Sequence, residues 1–254
     1  RTVVVGEARA PPLTIPPSTR DADFARAMSD ADLPEGKVTF NVGPERRRFE
    51  HQSKPFLCAR SDYFNRQFSS GMAESTASAG AEPEVDVPDA DPEAFQCLLD
   101  YIATDKVSFA PGGGAEEARR AFTTMQLAHK HGMVRLELLC LQALREGELL
   151  SPASAVPLLE GACAAGHGGA GADGEEAGGQ LVAACREYML AEGHAVVEAG
   201  GLEALRELPV ARPSCHARRE GVLVLRLPGG WELGGSRLGG GGWGGGGGGG
   251  GGGG

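Results

Sequence analysis

Apolar residues recur along this chain with two different periods, and the switches between them mark out its elements. Val38, Phe40 and Val42 alternate with polar neighbours, the period of a strand with one buried face, and Gly43-Pro44 turns the chain toward a return strand through Phe49. From Pro55 the period becomes helical. Phe56 and Leu57 supply an apolar face, and Ser61 is predicted to offer its side-chain oxygen to the free N–H groups of a helix beginning at Asp62. Phe64 and Phe68 lie four residues apart on one face of that helix, which should stop near Ser70 because Gly71 can take the left-handed conformation. Met72-Ala73-Glu74-Ser75 then places a large apolar side chain beside a carboxylate with no hydrophobic run to bury it, a pattern that points to a partner.

Further on, Val85-Asp86-Val87 reads as a brief strand closed by Pro88. Asp91-Pro92 is a strong helix start, since proline at the first helical position gives up only an N–H that had no partner; Phe95, Leu98, Leu99 and Ile102 follow at helical spacing. Lys106-Val107-Ser108-Phe109 is predicted to be a further strand. Two helices come next. Ala118, Ala121, Phe122 and Met125 line the first, which Gly132 ends, and Val134 through Leu144 forms the second. The expected core is Phe56, Leu57, Phe64, Phe68, Phe95, Leu98, Leu99 and Ile102.

The two ends differ from this middle. Thr2-Val3-Val4-Val5 is a β-branched run expected to belong to a sheet whose other strands the chain does not carry; Pro11, Pro12, Pro16 and Pro17 make a stiff linker, and Asp21 to Met28 a short helix bearing Phe24. From Ser151 the pattern is purely helical, with Leu158 and Leu159 in one segment and Leu181, Cys185, Tyr188 and Met189 in the next. If Ser154 is the cap of the first, Pro157 falls in its first turn at small cost. Gly166 to Gly179 is read as the loop between them. Beyond Glu207 only Val222-Leu223-Val224-Leu225 stands out, as an orphan run, and from Gly239 every residue is glycine except Trp243. Residues 207–254 are expected to be a disordered glycine-rich tail.

Composition narrows the function. Of 254 residues 41 are glycine, and the glycine tail is not expected to fold, so about two hundred residues remain for structure, one ordinary domain with a helical extension. A formal charge of −10 argues against a nucleic-acid partner, because neutralising phosphates needs clustered Lys and Arg. The only basic run, Arg46-Arg47-Arg48, lies between Glu45 and Glu50 and reads as a solvated turn. Six cysteines without a C-x-x-C pair suggest reduced thiols, and with no signal-like or membrane-length apolar segment the expectation is a soluble protein of the nucleus or cytoplasm. Catalysis would need a nucleophile with its base, paired carboxylates or a ligand set, and no such motif is present. The Gly-Ala-Gly-Ala-Asp-Gly string has no strand before it and no G-K-[ST], while His129 and His131, two residues apart near a helix end, point in different directions. No enzyme, metal or cofactor is expected.

The order hairpin, helix pair, strand, capped helix, strand, helix pair resembles the BTB/POZ fold, an α/β (α+β) arrangement of a small sheet flanked by helices. Three runs carry the resemblance: Val38-Thr39-Phe40-x-Val42; Leu57-Cys58-Ala59-Arg60-Ser61-x-x-Phe64-x-x-x-Phe68-x-x-Gly71-Met72-x-Glu74-Ser75; and Phe95-x-x-Leu98-Leu99-x-Tyr101-Ile102-x-Thr104-Asp105. Val3-Val4-Val5, Leu13-x-Ile15-Pro16-Pro17-Ser18 and Phe24 look like the junction of MATH and BTB domains in speckle-type POZ and plant MATH-BTB proteins, and Leu150 to Leu205 is similar to a BACK-type extension. The layout implied is the end of a MATH-like domain and linker at 1–29, with most of the MATH domain absent, BTB/POZ at 30–145, a BACK-like extension at 150–206 and the tail. The resemblance implies a non-enzymatic adaptor that forms a homodimer and recruits an unidentified substrate protein to a cullin-3 RING E3 ubiquitin ligase. Met72, Ala73 and Glu74 would contact cullin-3, and Phe24, Met28, Val38 and Phe40 would lie at the dimer interface. The alternative is a BTB oligomerisation scaffold or transcriptional regulator that does not bind cullin. The chain departs from the family pattern at Lys37, where Asp is usual, and at Ser53-Lys54, where His-Lys is usual, with His51 displaced by a one-residue insertion. Both places adjoin the family's dimer interface.

Overall fold

The first strand among the described residues, β1 (Lys37–Val42), is the axis of the fold. In the computed structural model, which describes residues 13–70, 82–146, 149–167, 177–199, 224–227 and 231–234, β1 lies between β2 (Arg47–Ser53), antiparallel to it, and β3 (Glu84–Val87), parallel to it. A parallel neighbour needs a crossover, and α2 (Lys54–Arg60) and α3 (Asp62–Ser69) stand in that connection between β2 and β3. α4 (Pro92–Thr104), α5 (Gly114–Lys130) and α6 (Val134–Glu146) follow, and α1 (Arg20–Ser29) precedes the sheet.

Phe40 is the centre of the core. Its ring lies 5.1 Å from that of Phe95 on α4, 5.6 Å from Phe64 and 6.4 Å from Phe68 on α3, and Phe49 of β2 closes on Phe95 at 5.4 Å. Leu57, Leu98, Leu99 and Ile102 are buried with them, as their spacing predicts. Phe56 is not: it is half-buried and meets Phe24 of α1 edge-on. The alternation in β1 predicts one buried face, yet Thr39 and Asn41 are buried as well. Carboxylates cover them. Asn41 donates to Glu84 and Asp86, and Thr39 to Glu82, so the second face of the sheet is closed by hydrogen bonds instead of apolar contact. The basic run belongs to this layer. Arg46 pairs with Asp86 at 2.7 Å and Arg48 with Glu84 at 3.1 Å, across the sheet, so the run is more than a solvated turn.

Caps behave as their chemistry dictates at Asp91, whose carboxylate accepts from the N–H groups of Glu93 and Ala94. Gly132, at φ +68°, ends α5 as expected. Ser61 occupies the N-cap position of α3 with extended backbone, but its hydroxyl donates to the carbonyl of His131 at 2.9 Å; a buried hydroxyl facing a buried carbonyl satisfies both, and the capping bond is not made. Residues 106–110 form no strand. The segment runs beside α5 and α6, away from the sheet, with Phe109 under the Arg120 guanidinium, and β-branched propensity does not make a strand without a partner.

The helical extension comprises α7 (Ala155–Ala162), α8 (Ala177–Ala191) and α9 (Gly193–Glu198). Pro157 sits in the first turn of α7, and Leu158, Leu159, Leu181, Cys185 and Met189 are buried. The connection is shorter than its glycines suggest, because a π-helical turn, Cys163–His167, prolongs α7 and α8 takes in Gly178 and Gly179. The chain divides into two compact units, Arg1–Ala204 and Leu205–Gly254. Within the second, β4 (Val224–Leu227) pairs antiparallel with β5 (Trp231–Gly234). Val224 and Leu225 are therefore no orphans, and 207–254 is not a tail without organisation; Trp231-Glu232-Leu233 supplies the partner strand. The strand at Thr2–Val5, the stop at Gly71, Val222 and Leu223, and the glycine run from Gly239 lie outside the described residues.

Candidate functional site

α1 is the element whose surface is least accounted for. It is ten residues long and amphipathic, yet none of its residues is buried; Phe24 is 50% exposed and Met28 75%. A helix draws most of its stability from packing an apolar face, and here that face is largely open. Phe24 rests its edge on Phe56 of α2 at 5.7 Å and goes no deeper. Of the four residues assigned to an interface by resemblance, Phe24 and Met28 are on the surface, whereas Val38 and Phe40 are fully buried inside the domain. Val38 and Phe40 belong to the core of the domain: both are fully buried, and the Phe40 ring lies against Phe64 and Phe68 of α3 and Phe95 of α4.

Beside α1 lies a charge cluster that the sequence does not announce. Arg60, its side chain 3% exposed, reaches from the end of α2 to Asp105 and to Asp23 on α1 at 3.1 Å, and its guanidinium lies 5.0 Å from the Tyr101 ring centroid. Arg135 of α6 binds the other oxygen of Asp105 at 3.0 Å and the carbonyl of Pro16 in the linker before α1. Asp105 has a φ of +59° at the C-cap of α4, which turns its carboxylate back toward Arg60. Burial alone would raise the Asp105 carboxyl, but hydrogen bonds from Arg60, Ser18 and Arg135 hold it below the usual carboxylate value. Tyr101 is pushed up to about 12 by burial and the nearby Asp105 charge. Arg60, Tyr101 and Asp105 lie in the quoted runs and Pro16 and Ser18 in the linker, while Asp23 and Arg135 stand in helices read only for their apolar residues; the sequence did not show their convergence.

The family departures near β1 also resolve. Lys37 and Ser53 face each other across the β1–β2 ladder. Lys54 is buried, with its ammonium 5.5 Å from the Phe68 ring centroid. Between Val38↔Gln52 and Phe40↔Phe49, two residues of β2 oppose the single Thr39. This is a bulge at Glu50-His51, with His51 at φ +58°, and it absorbs the one-residue insertion. The bulge aims both the His51 N–H and its ring Nδ1 at Glu82, at 3.1 and 2.7 Å. At the far side of α3, His131 is buried between Tyr63 and Phe64, where burial pushes its pKa down to about 4. His129 contacts Glu137 instead, so the two imidazoles do not converge. No group of three or more metal-ligating side chains exists among the described residues. No helix among them is long and apolar enough to cross a membrane. Cys58, Cys97, Cys140 and Cys185 are buried free thiols and Cys163 is a half-buried one. Met72, Ala73 and Glu74 lie outside the described residues.

The family model described as BTB/POZ domain matches residues 37–148, the stretch that holds this sheet, the α2–α3 crossover and α4 to α6. Residues 37–148 have the BTB/POZ fold. Such a domain is a non-enzymatic module for protein interaction and dimerisation. The chain is similar to BTB/POZ domain-containing protein 9 of Bos taurus and of Homo sapiens, 36% identical over 104 residues in each case. That match covers 40% of this chain and only 15% of the length of each relative. Among solved structures, the BTB domain of human gigaxonin aligns over 51% of this chain and 95% of its own, at 15% identity and a TM-score of 0.32. The BTB domain of zebrafish PATZ1 aligns over 53% and 99%, at 18% identity and a TM-score of 0.33.

Proposed function

We propose that this chain is a homodimeric BTB adaptor that joins a substrate protein to a cullin-3 RING E3 ubiquitin ligase in the nucleus or cytoplasm. The observation that carries the dimer is α1, a helix with no buried residue and with Phe24 and Met28 turned outward beside Phe56. Pairing with its counterpart in a second copy would remove that surface from water, and a two-fold interface makes one patch serve both partners. Val38 and Phe40 have no part in it.

The cullin contact rests on the run Leu57 to Ser75. Its described portion folds as the resemblance requires, with α2 and α3 bearing Leu57, Phe64 and Phe68 into the core. Met72-Ala73-Glu74 follows α3 in sequence after Ser70-Gly71, and its apolar side chain and carboxylate would serve as anchor and orienting group. The wider layout, a MATH-like remnant at 1–29 and a BACK-like extension at 150–206, is part of the same proposal; α7 to α9 supply the helical content of the second.

Recovery of cullins from native extract on the full chain tests the reading. Wild-type chain should retain cullin-3, and Met72→Ala combined with Glu74→Ala should weaken the affinity at least tenfold in a calorimetric titration while dimer mass and melting temperature hold. A dimer that retains no cullin would establish the scaffold alternative.

A further inference from the structure

α1 buries no residue fully and its ring contact is Phe24 on Phe56, so polar bonds must contribute much of its seat. Helix ends supply the answer. The last four carbonyls of any helix lack an intrahelical donor. In α2, the Leu57 carbonyl is taken by the N–H of Ser61, and those of Cys58 and Ala59 accept from Arg26 Nη2 at 3.3 and 3.0 Å. In α4, the Tyr101 carbonyl takes the N–H of Asp105, and that of Ala103 accepts from Arg20 Nε at 3.0 Å. Two arginines of α1, six positions apart, thus complete the C-terminal ends of two domain helices, where the helix dipole favours positive charge. Asp23, between them, receives Arg60 from α2, so α1 and α2 hold each other by bonds in both directions. Each of the bonds between α1 and these two helices has a charged member, the stronger class of hydrogen bond.

Resting on the self-association reading above, we propose that Arg26, with Arg20 and Asp23, is a positioning residue for that surface. It fixes α1 on the open ends of α2 and α4 so that Phe24 and Met28 face a second copy. The seat is polar and the presented face apolar, so losing the seat should cost self-association without melting the core.

Hydrogen exchange of the amides of residues 22–30 in the full chain, diluted until it is monomeric, reads the seat. Sedimentation equilibrium reads the dimer, and a thermal melt reads the core. In Arg26→Ala, α1 should lose its protection and the dimer dissociation constant should rise roughly tenfold, with the melting temperature nearly unchanged. Alanine is the better helix former, so lost protection there reports undocking and not poor propensity. Arg26→Lys, which still reaches the carbonyls, should stay within about threefold of wild type. Arg20→Ala should act in the same direction as Arg26→Ala.

Unchanged protection of α1 in monomeric Arg26→Ala overturns the seat, and a weakened dimer with α1 still protected would make Arg26 a direct contact instead. A dimeric wild type whose Arg26→Ala variant dimerises equally well overturns the positioning role alone. A wild-type chain that remains monomeric overturns the self-association reading and this role with it.

Discussion

Arg60 and Asp105 are joined in a buried ion pair that ties the end of α2 to the end of α4, with both side chains almost fully withdrawn from water. Such a pair adds little over an apolar replacement, but removing one partner strands the other charge. Arg60→Ala would leave Asp105 to Arg135 and Ser18, and Asp23 to the Thr19 hydroxyl alone. The expected loss is about 3 kcal/mol or more of unfolding free energy, large against the roughly 5 to 15 kcal/mol of a typical domain. Urea titration of the two proteins measures it, and a loss under about 1 kcal/mol would show that the cluster is solvated.

Acid should weaken the same cluster. The Asp105 carboxyl is held below its unfolded value, so its contribution is complete above the ordinary carboxylate pKa of about 3.9 and disappears as the pH falls through the lower, folded value. Asp105→Asn should therefore be less stable than wild type at neutral pH, with the difference shrinking in acid; denaturation series at several pH values give that difference.

His131 gives a separate pH signature. Its folded pKa of about 4 lies below the unfolded 6.5, so the unfolded chain binds more protons between those values. Stability should be full above pH 6.5 and fall on the way to pH 4, by up to about 3 kcal/mol on a cost of 1.36 kcal/mol per unit. His131→Phe keeps the main-chain carbonyl that Ser61 binds and removes the titration, so its stability should be flatter across that range. An equally steep profile in the variant would assign the effect to other groups.

Gly161 sets the distance between α5 and α7. A Cβ there would stand 2.5 Å from Cε1 of the buried Phe122 ring. Alanine gains about 1 kcal/mol of helix propensity, while overpacking against a fixed ring costs about 1 to 3 kcal/mol. Gly161→Ala should be destabilised on balance, and Phe122→Leu should recover part of the loss in a double-mutant cycle.

What the sequence made legible was whatever one element decides for itself. Phe64 and Phe68 four residues apart, Asp91 before Pro92, and Gly132 after the α5 stripe each needed only local geometry, and each stands as read. Expectations failed where a distant residue intervened. Ser61 has the right identity and backbone for a cap, but its hydroxyl goes to a carbonyl seventy positions away. Val107 and Phe109 have strand propensity without a strand to join. Val38 and Phe40 were placed at an interface by resemblance, although their alternation already directed them into the core. The seat of α1 was the least legible part, because Arg20, Asp23 and Arg26 look like a solvated helix face until α2 and α4 end beside them.

The mass of the full chain in solution bears most directly on the central claim. Sedimentation equilibrium at micromolar concentration should give twice the 26.2 kDa of one chain, and Met28→Asp, which puts a charge on the open face of α1 at a side chain 75% exposed, should halve it with the melt unchanged. A wild-type mass of one chain at that concentration, or a Met28→Asp protein still at two, would contradict the account.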